Sequence, residues 1–342
     1  MTSAAGTEAD IDRRNVSDAV GVVVLGACAV WPLISAAGRD ARPEGVLLAV
    51  LAVAAGYAAG RMSGALLPVV APCVGALAGL GLAVAMPHVA PGPQFTTPLG
   101  HAGAVAALLA LATGSVCCAA WATPVPALRL GLRMLAVGIA VAAAVMGSVP
   151  GCTASAAVLL CSLAAGRMRH RGPGIAGLAL TAALVTGTVW AVAANALPAG
   201  LASALEGPLT EHRVRLWRDA MHLTRQDISL GVGPGRFGEL SGTASEALLP
   251  DGKPHSAPLQ QATEQGLAGV LLLVTAFCWL LYALWRSPRS TPVALTAGAA
   301  LTALAAIAAV GDALSFTTVS VGAGLLAGLA TARPWAAGVP QS

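Results

Sequence analysis

HSAPLQQATEQGLAGVLLLVTAFCWLLYALWR, residues His255 to Arg286, decides the reading of this chain. Its first part is polar, with His255, Gln260, Gln261 and Glu264, whereas Gly266 to Trp285 carries no charged side chain. A run of roughly 20 apolar residues matches the hydrocarbon thickness of a bilayer. The second part is therefore expected to cross a membrane, with the polar part at its entrance. The rest of the chain has the same character: hydrophobic residues make up 56% of the sequence and charged residues 10%. That composition excludes a water-soluble globular class.

Apolar stretches predict spans near 18–37, 44–60, 65–86, 99–122, 131–149, 151–166, 174–197, 266–285, 293–311 and 314–331. The predicted fold is an all-α integral membrane protein of about ten transmembrane helices with one large extracytoplasmic loop. Residues 1–17 read as a disordered cytoplasmic N-terminus, with Glu8, Asp10, Asp12, Arg13 and Arg14 ahead of the first apolar run, so no cleavable signal peptide is predicted. A bundle of about seven helices (18–197), the loop (198–265), about three helices (266–331) and a cytoplasmic tail (332–342) follow. The positive-inside rule sets the orientation. With both termini cytoplasmic, Arg61, Arg129, Arg133, the cluster Arg167, Arg169 and Arg171, and Arg286, Arg289 and Arg333 all fall inside, and 198–265 faces out. The first outer loop is the exception, with Arg39 and Arg42 partly offset by Asp40 and Glu44.

The net charge of +4 is divided among loops and forms no nucleic-acid-binding face. The seven cysteines all fall inside predicted spans, so they make neither a disulfide framework nor a metal-ligand spacing and read as small packing residues. No cofactor is predicted.

Chemistry is expected in the loop. Residues 211–228 (EHRVRLWRDAMHLTRQDI) form an amphipathic pattern at about 100° per residue. Val214, Leu216, Trp217, Ala220, Met221, Leu223, Thr224 and Ile228 share one face; Arg215, Arg218, Asp219, His222, Arg225 and Gln226 share the other. Arg213 interrupts the apolar face four residues before Trp217. A guanidinium there needs an anion, which is either a ligand, a lipid headgroup reached by snorkelling, or one of Glu206 and Glu211. GVGPGRFGEL, Gly231 to Leu240, excludes regular structure and lacks the GK[ST] ending of a Walker loop. Its glycines, Gly231 and Gly233 among them, allow close backbone approach, as in a plain turn or an amide donor for an anion. Lys253 and His255 come next, with Ser256 as N-cap and Pro258 in the first turn of the eighth span. His255 thus stands where a proton-transfer group is useful, and Glu264 is either an interfacial carboxylate or a partner for a cation at membrane depth.

Taken in order, Arg213 and Trp217, then GVGPGRF, then HSAPLQQATEQGLAG, this stretch resembles the lipid A core:surface polymer ligase and O-antigen polymerase family. The family shows an Arg four residues before a Trp, a G-x-G-x-x-F turn, and a His-Asn-x-x-L segment leading to Glu-x-Gly-Leu-x-Gly. Arg213, Trp217, Gly231, Gly233, Phe237, His255, Leu259, Glu264, Gly266 and Gly269 stand at matching positions over roughly 70 residues, and Gly311-Asp312 fits the family's end loosely. Three features depart from the pattern. Ser256 replaces the usual Asn, QFTTPLGHAG (Gln94 to Gly103) lacks the usual Arg and Asn, and GSVPG (Gly147 to Gly151) stands where many members carry Ser-Arg.

The resemblance implies transfer or polymerisation of glycan from a polyprenyl diphosphate-linked donor to an acceptor glycan or wall polymer at the outer membrane face. His255 would serve as general base. Arg213, with Arg236 or Lys253, would steady the departing diphosphate, and Trp217, Glu264, Gly231 and Gly233 would help to bind substrate. The competing reading is a transporter or non-catalytic partner in export of a polyprenyl-linked glycan.

Overall fold

The computed structural model describes residues 3–89, 98–196, 211–245 and 252–333, and every regular element among them is helical. The helices are α1 (Ser3–Ala36), α2 (Glu44–Leu66), α3 (Val70–Val89), α4 (Pro98–Ala122), α5 (Pro126–Val145), α6 (Val149–Ala165) and α7 (Arg171–Ala193). There follow α8 (Glu211–Gln226), the short α9 (Phe237–Leu240) and α10 (Gly242–Ser245), then α11 (Ala257–Trp285), α12 (Thr291–Val310) and α13 (Thr317–Thr331). Seven of them are long and apolar enough to cross a membrane, and three shorter apolar helices, Val70–Ala85, Val149–Ala165 and Thr317–Thr331, accompany them. The chain is an all-α protein with the build of a multi-pass membrane protein.

One boundary differs from the sequence reading. Residues 1–17 were expected to be disordered, yet α1 begins at Ser3. This stretch contains no proline and a single glycine, Gly6, so the apolar helix that follows can propagate backward through it.

Burial sorts the helices into a centre and a periphery. The apolar windows of α4 and α12 are 89% and 78% buried, whereas those of α1, α2, α5, α7 and α11 are 11–28% buried. What the outer helices expose is itself apolar: Val22 is 73% exposed, Leu51 66% and Val145 81%. Such a surface matches lipid tails.

Close helix contact comes from small residues. In α2, Gly56 and Gly60 lie directly on α13, where an added Cβ would sit 2.3 Å from Val321 O and 2.2 Å from Leu325 O. Gly324 and Gly328 return the contact against Val53 O and Tyr57 O, each at 2.2 Å. With no hydrophobic drive between helices in lipid, this packing of backbone on backbone holds the pair together.

Candidate functional site

The amphipathic pattern at 211–228 becomes α8, which buries Leu216, Trp217, Ala220, Met221, Leu223 and Thr224. It packs on Val189 and Ala193 of α7 and on Leu259 of α11. Ile228, read as part of the same face, is 58% exposed because the helix stops at Gln226. Asp227 ends it: one carboxylate oxygen accepts the N–H groups of Ser229 and Leu230, at 3.2 and 3.0 Å, and so holds a tight turn. The other accepts from Arg39 at 3.0 Å. Hydrogen bonds from Leu230 and Ser229, together with Arg39, hold the Asp227 carboxyl below its usual value.

That turn feeds the glycine-rich segment into a break in α11. Gly266 adopts φ 67°, ψ −164°, so the helix is interrupted one residue after Gln265. An interruption leaves carbonyls without helical partners, and each of three finds one here. Thr263 O accepts from Val232 N at 2.8 Å, Glu264 O from Gly233 N at 3.0 Å, and Gln265 O from Trp31 Nε1 at 3.0 Å. Beyond the break, Leu267 N donates to Ile228 O at 2.8 Å. The glycines are required by this fit. Gly231 has φ 68° and a Cβ there would lie 2.6 Å from the Glu264 backbone, while a Cβ on Gly266 would meet Ser229 O at 2.4 Å.

The loop between α1 and α2 braces the same segment. Arg39 donates to Gly231 O at 2.7 Å as well as to Asp227, and Arg42 N donates to Pro234 O at 2.9 Å. Arg39 is thus tied down by the segment it supports.

Above the break lies the turn that carries His255. Its backbone takes φ 52°, a left-handed conformation that non-glycine residues rarely adopt. Pro254 O accepts the indole N–H of the fully buried Trp217 at 3.0 Å. His255 and Ser256 are buried at 8% and 1% exposure. Ser256 takes the predicted N-cap position of α11, but its hydroxyl makes no capping bond and is buried with no hydrogen-bond partner among the described residues. An orphaned buried hydroxyl is a gap in the hydrogen-bond accounting that a substrate oxygen would close.

Arg213 lies one turn before Trp217, about 6 Å along α8. It is half-buried, and burial pulls its guanidinium below its ordinary value. Of its two expected partners, Glu211 is occupied by Arg215 at 2.7 Å, and Glu206 lies outside the described residues. No described residue forms an ion pair with Arg213. Arg236 Nε stands 3.8 Å from Glu239, close enough for attraction but too far for a hydrogen bond, so that N–H is also unpartnered among the described residues.

Glu264 is only 2% exposed. Gln260 Nε2 reaches both of its oxygens at 3.5 Å, the Gly235 N–H bonds to it, and Lys253 and Asp312 act on it electrostatically. Lys253 Nζ is 3.2 Å from Asp312 Oδ2, and Asp312 also accepts from Ser315. Asp219 fixes the far side of the loop, accepting from Ser241 Oγ at 2.7 Å and Thr243 N at 3.1 Å. Burial works to raise the Asp219 carboxyl, but these bonds and the nearby His222 outweigh it and hold it down.

Most of the predicted residues, with Pro254 added, fall in two linked groups, while Arg213 and Arg236 stand beside them. Trp217, Pro254 and His255 join α8 to the mouth of α11, and Gly231, Gly233, Glu264 and Lys253 meet at the break. Sequence reasoning missed the roles of Arg39, Asp227, Asp219 and Gln260, and it noted Asp312 only as a loose motif match. Arg39 pairs with Asp227 across 188 residues and Asp219 with Ser241 across 22, separations that leave no local pattern, whereas the Gln260–Glu264 spacing of four on a helix was a signal the sequence did offer. In the fourth-span motif, Gln94 to Thr97 lie outside the described residues. Comparison with family models, curated proteins and solved structures finds no match for this chain.

Proposed function

We propose that the chain is a membrane glycosyltransferase of the O-antigen ligase and polymerase type, with ten spans, both termini cytoplasmic and residues 198–265 on the outer face. One observation carries this reading: the buried, conformationally constrained His255 is fixed through Pro254 to Trp217, one turn from a half-buried guanidinium that has no described ion-pair partner. An acceptor hydroxyl gives its proton to His255 as its oxygen attacks the anomeric carbon of the donor. The bond to the diphosphate breaks, and its electron pair leaves with the diphosphate. Arg213 meets that charge, with Arg236 and the Asp312-paired Lys253 as further cations. Ser256 donates to a substrate oxygen, and Trp217, Gly231, Gly233 and Glu264 shape the binding surface.

The helix break favours a second reading. Discontinuous helices whose interruption holds a buried carboxylate are how many transporters bind their cargo, and Glu264 sits at such a place. Purified protein in proteoliposomes, supplied with a polyprenyl diphosphate-linked glycan and a glycan acceptor, separates the two. Transfer gives a product with a new glycosidic bond, as a ladder for a polymerase or a single addition for a ligase. Movement of the donor between leaflets without a new bond supports transport and overturns transfer.

A further inference from the structure

At the end of the bundle remote from His255, a small cleft of about 50 Å³, open to the surface, lies beside Asp18, Tyr57, Arg61, Ser287, Arg286 and Arg333. The 29 residues of α11 separate the two ends, with His255 just before its start and Arg286 at its C-cap. Five arginines crowd this end, and their hydrogen bonds divide them. Arg171 donates to Ser287 O at 2.8 Å and Arg289 O at 2.9 Å, and Arg289 donates to Gly64 O at 2.7 Å. These two close helix ends and are structural. Arg61 is shared between Asp18 at 2.8 Å and the Tyr57 hydroxyl at 3.3 Å. Arg286 lies 5.8 Å from the Trp285 ring centroid, and Arg333 is exposed; neither has an ion-pair partner among the described residues.

Among the described residues the cleft therefore presents three guanidinium groups against the one carboxylate of Asp18. Guanidinium forks match phosphate oxygens. Its depth in the membrane is marked by a pair of exposed aromatics: Tyr282 and Trp285 have ring centroids 5.9 Å apart and are 38% and 47% exposed. Such rings sit at the level of lipid headgroups, where basic pockets between helices bind anionic lipids.

We propose that this cleft binds a phosphate-bearing anion at headgroup depth, namely the phosphodiester of an anionic phospholipid, with Arg286 and Arg333 as its contacts and the Arg61–Asp18 pair as its wall. The site is independent of the transfer chemistry proposed at the opposite end.

The test reconstitutes the full chain in bilayers of equal phosphatidylglycerol and phosphatidylcholine and counts retained lipids by native mass spectrometry after extraction. Wild type is expected to enrich phosphatidylglycerol about tenfold, and the Arg286→Gln/Arg333→Gln variant to lose most of that preference. A second arm adds inorganic phosphate to protein in phosphatidylcholine alone and measures thermal stability. Stabilisation by phosphate that the double variant loses, without lipid enrichment, assigns the cleft to free phosphate. If the double variant elutes as aggregate, Arg333→Gln alone, on an exposed residue past the last helix, carries the comparison. No preference and no phosphate effect in wild type, or enrichment unchanged in the folded variant, overturns the proposal.

Discussion

Trp217 donates its indole N–H to Pro254 O at 3.0 Å, which fixes the helix bearing Arg213 to the turn bearing His255. A second tie runs parallel to it, from Thr263 Oγ1 to Ala220 O at 3.0 Å. The two candidate groups are therefore placed by one rigid junction rather than by separate mobile loops.

The junction has a measurable cost of removal. Trp217→Phe keeps most of the packing and leaves Pro254 O without its donor, so it is expected to lower stability by about 1 kcal/mol. Trp217→Ala also empties a fully buried site and is expected to cost about 3–5 kcal/mol. Thermal unfolding in detergent micelles checks both, and a Phe variant as stable as wild type would show that the hydrogen bond contributes nothing.

Gly231→Ala and Gly266→Ala are expected to displace the glycine-rich segment from the break in α11. Both positions have positive φ, and each new Cβ would lie 2.4–2.6 Å from backbone that cannot move aside. Gly177→Ala, where no described atom lies within 4 Å of the new Cβ, is the control. Protease sensitivity of the loop should rise in the first two variants and not in the third.

The apolar helices and the amphipathic α8 were legible in the sequence because each depends on local periodicity and length. The break at Gly266 was not. A glycine at the polar-to-apolar boundary of 255–286 reads as part of a continuous helix until Ile228, Val232 and Gly233 are seen filling its lost hydrogen bonds. The same holds for charge. Arg39 reads as an only partly compensated charge in a short loop until its partners Asp227 and Gly231, 188 and 192 residues away, are seen.

Arg39 and Asp227 are expected to be energetically coupled. Arg39→Ala and Asp227→Ala combined in a double-mutant cycle should show a coupling of about 0.5–1 kcal/mol, since both side chains are partly exposed. The pH dependence has a definite sign. Because the folded Asp227 carboxyl is held below its usual value, its contribution is fully present above about pH 4 and lost as pH falls through the lower folded value. Stability attributable to the pair should be flat between about pH 5 and 7 and decline only in stronger acid; a midpoint near neutrality would contradict the assignment.

Gly60→Leu is expected to prevent α2 from seating on α13, since its Cβ would meet Leu325 O at 2.2 Å. Gly81→Leu, where nothing lies within 4 Å, should be tolerated. Size-exclusion profiles of the two purified variants distinguish them: aggregate for the first and a wild-type peak for the second. Equal behaviour would mean that the α2–α13 contact is looser than described.

The division of labour proposed for Arg213 and His255 makes the sharpest prediction. His255→Ala should lower glycan transfer by roughly a hundred- to ten-thousand-fold, the range for loss of a general base, while leaving binding of the polyprenyl-linked donor intact. Arg213→Ala should weaken donor binding as well as transfer, because its charge meets the diphosphate. Arg218, exposed on the opposite face of α8, serves as control, and Arg218→Ala should retain most activity. Donor binding and product formation measured separately on the same purified variants resolve the two roles. Near-normal transfer by His255→Ala would move the base elsewhere, to His101, the exposed His222 or the buried Glu264, whereas equal losses in Arg213→Ala and Arg218→Ala would replace a positioned guanidinium with a diffuse basic surface.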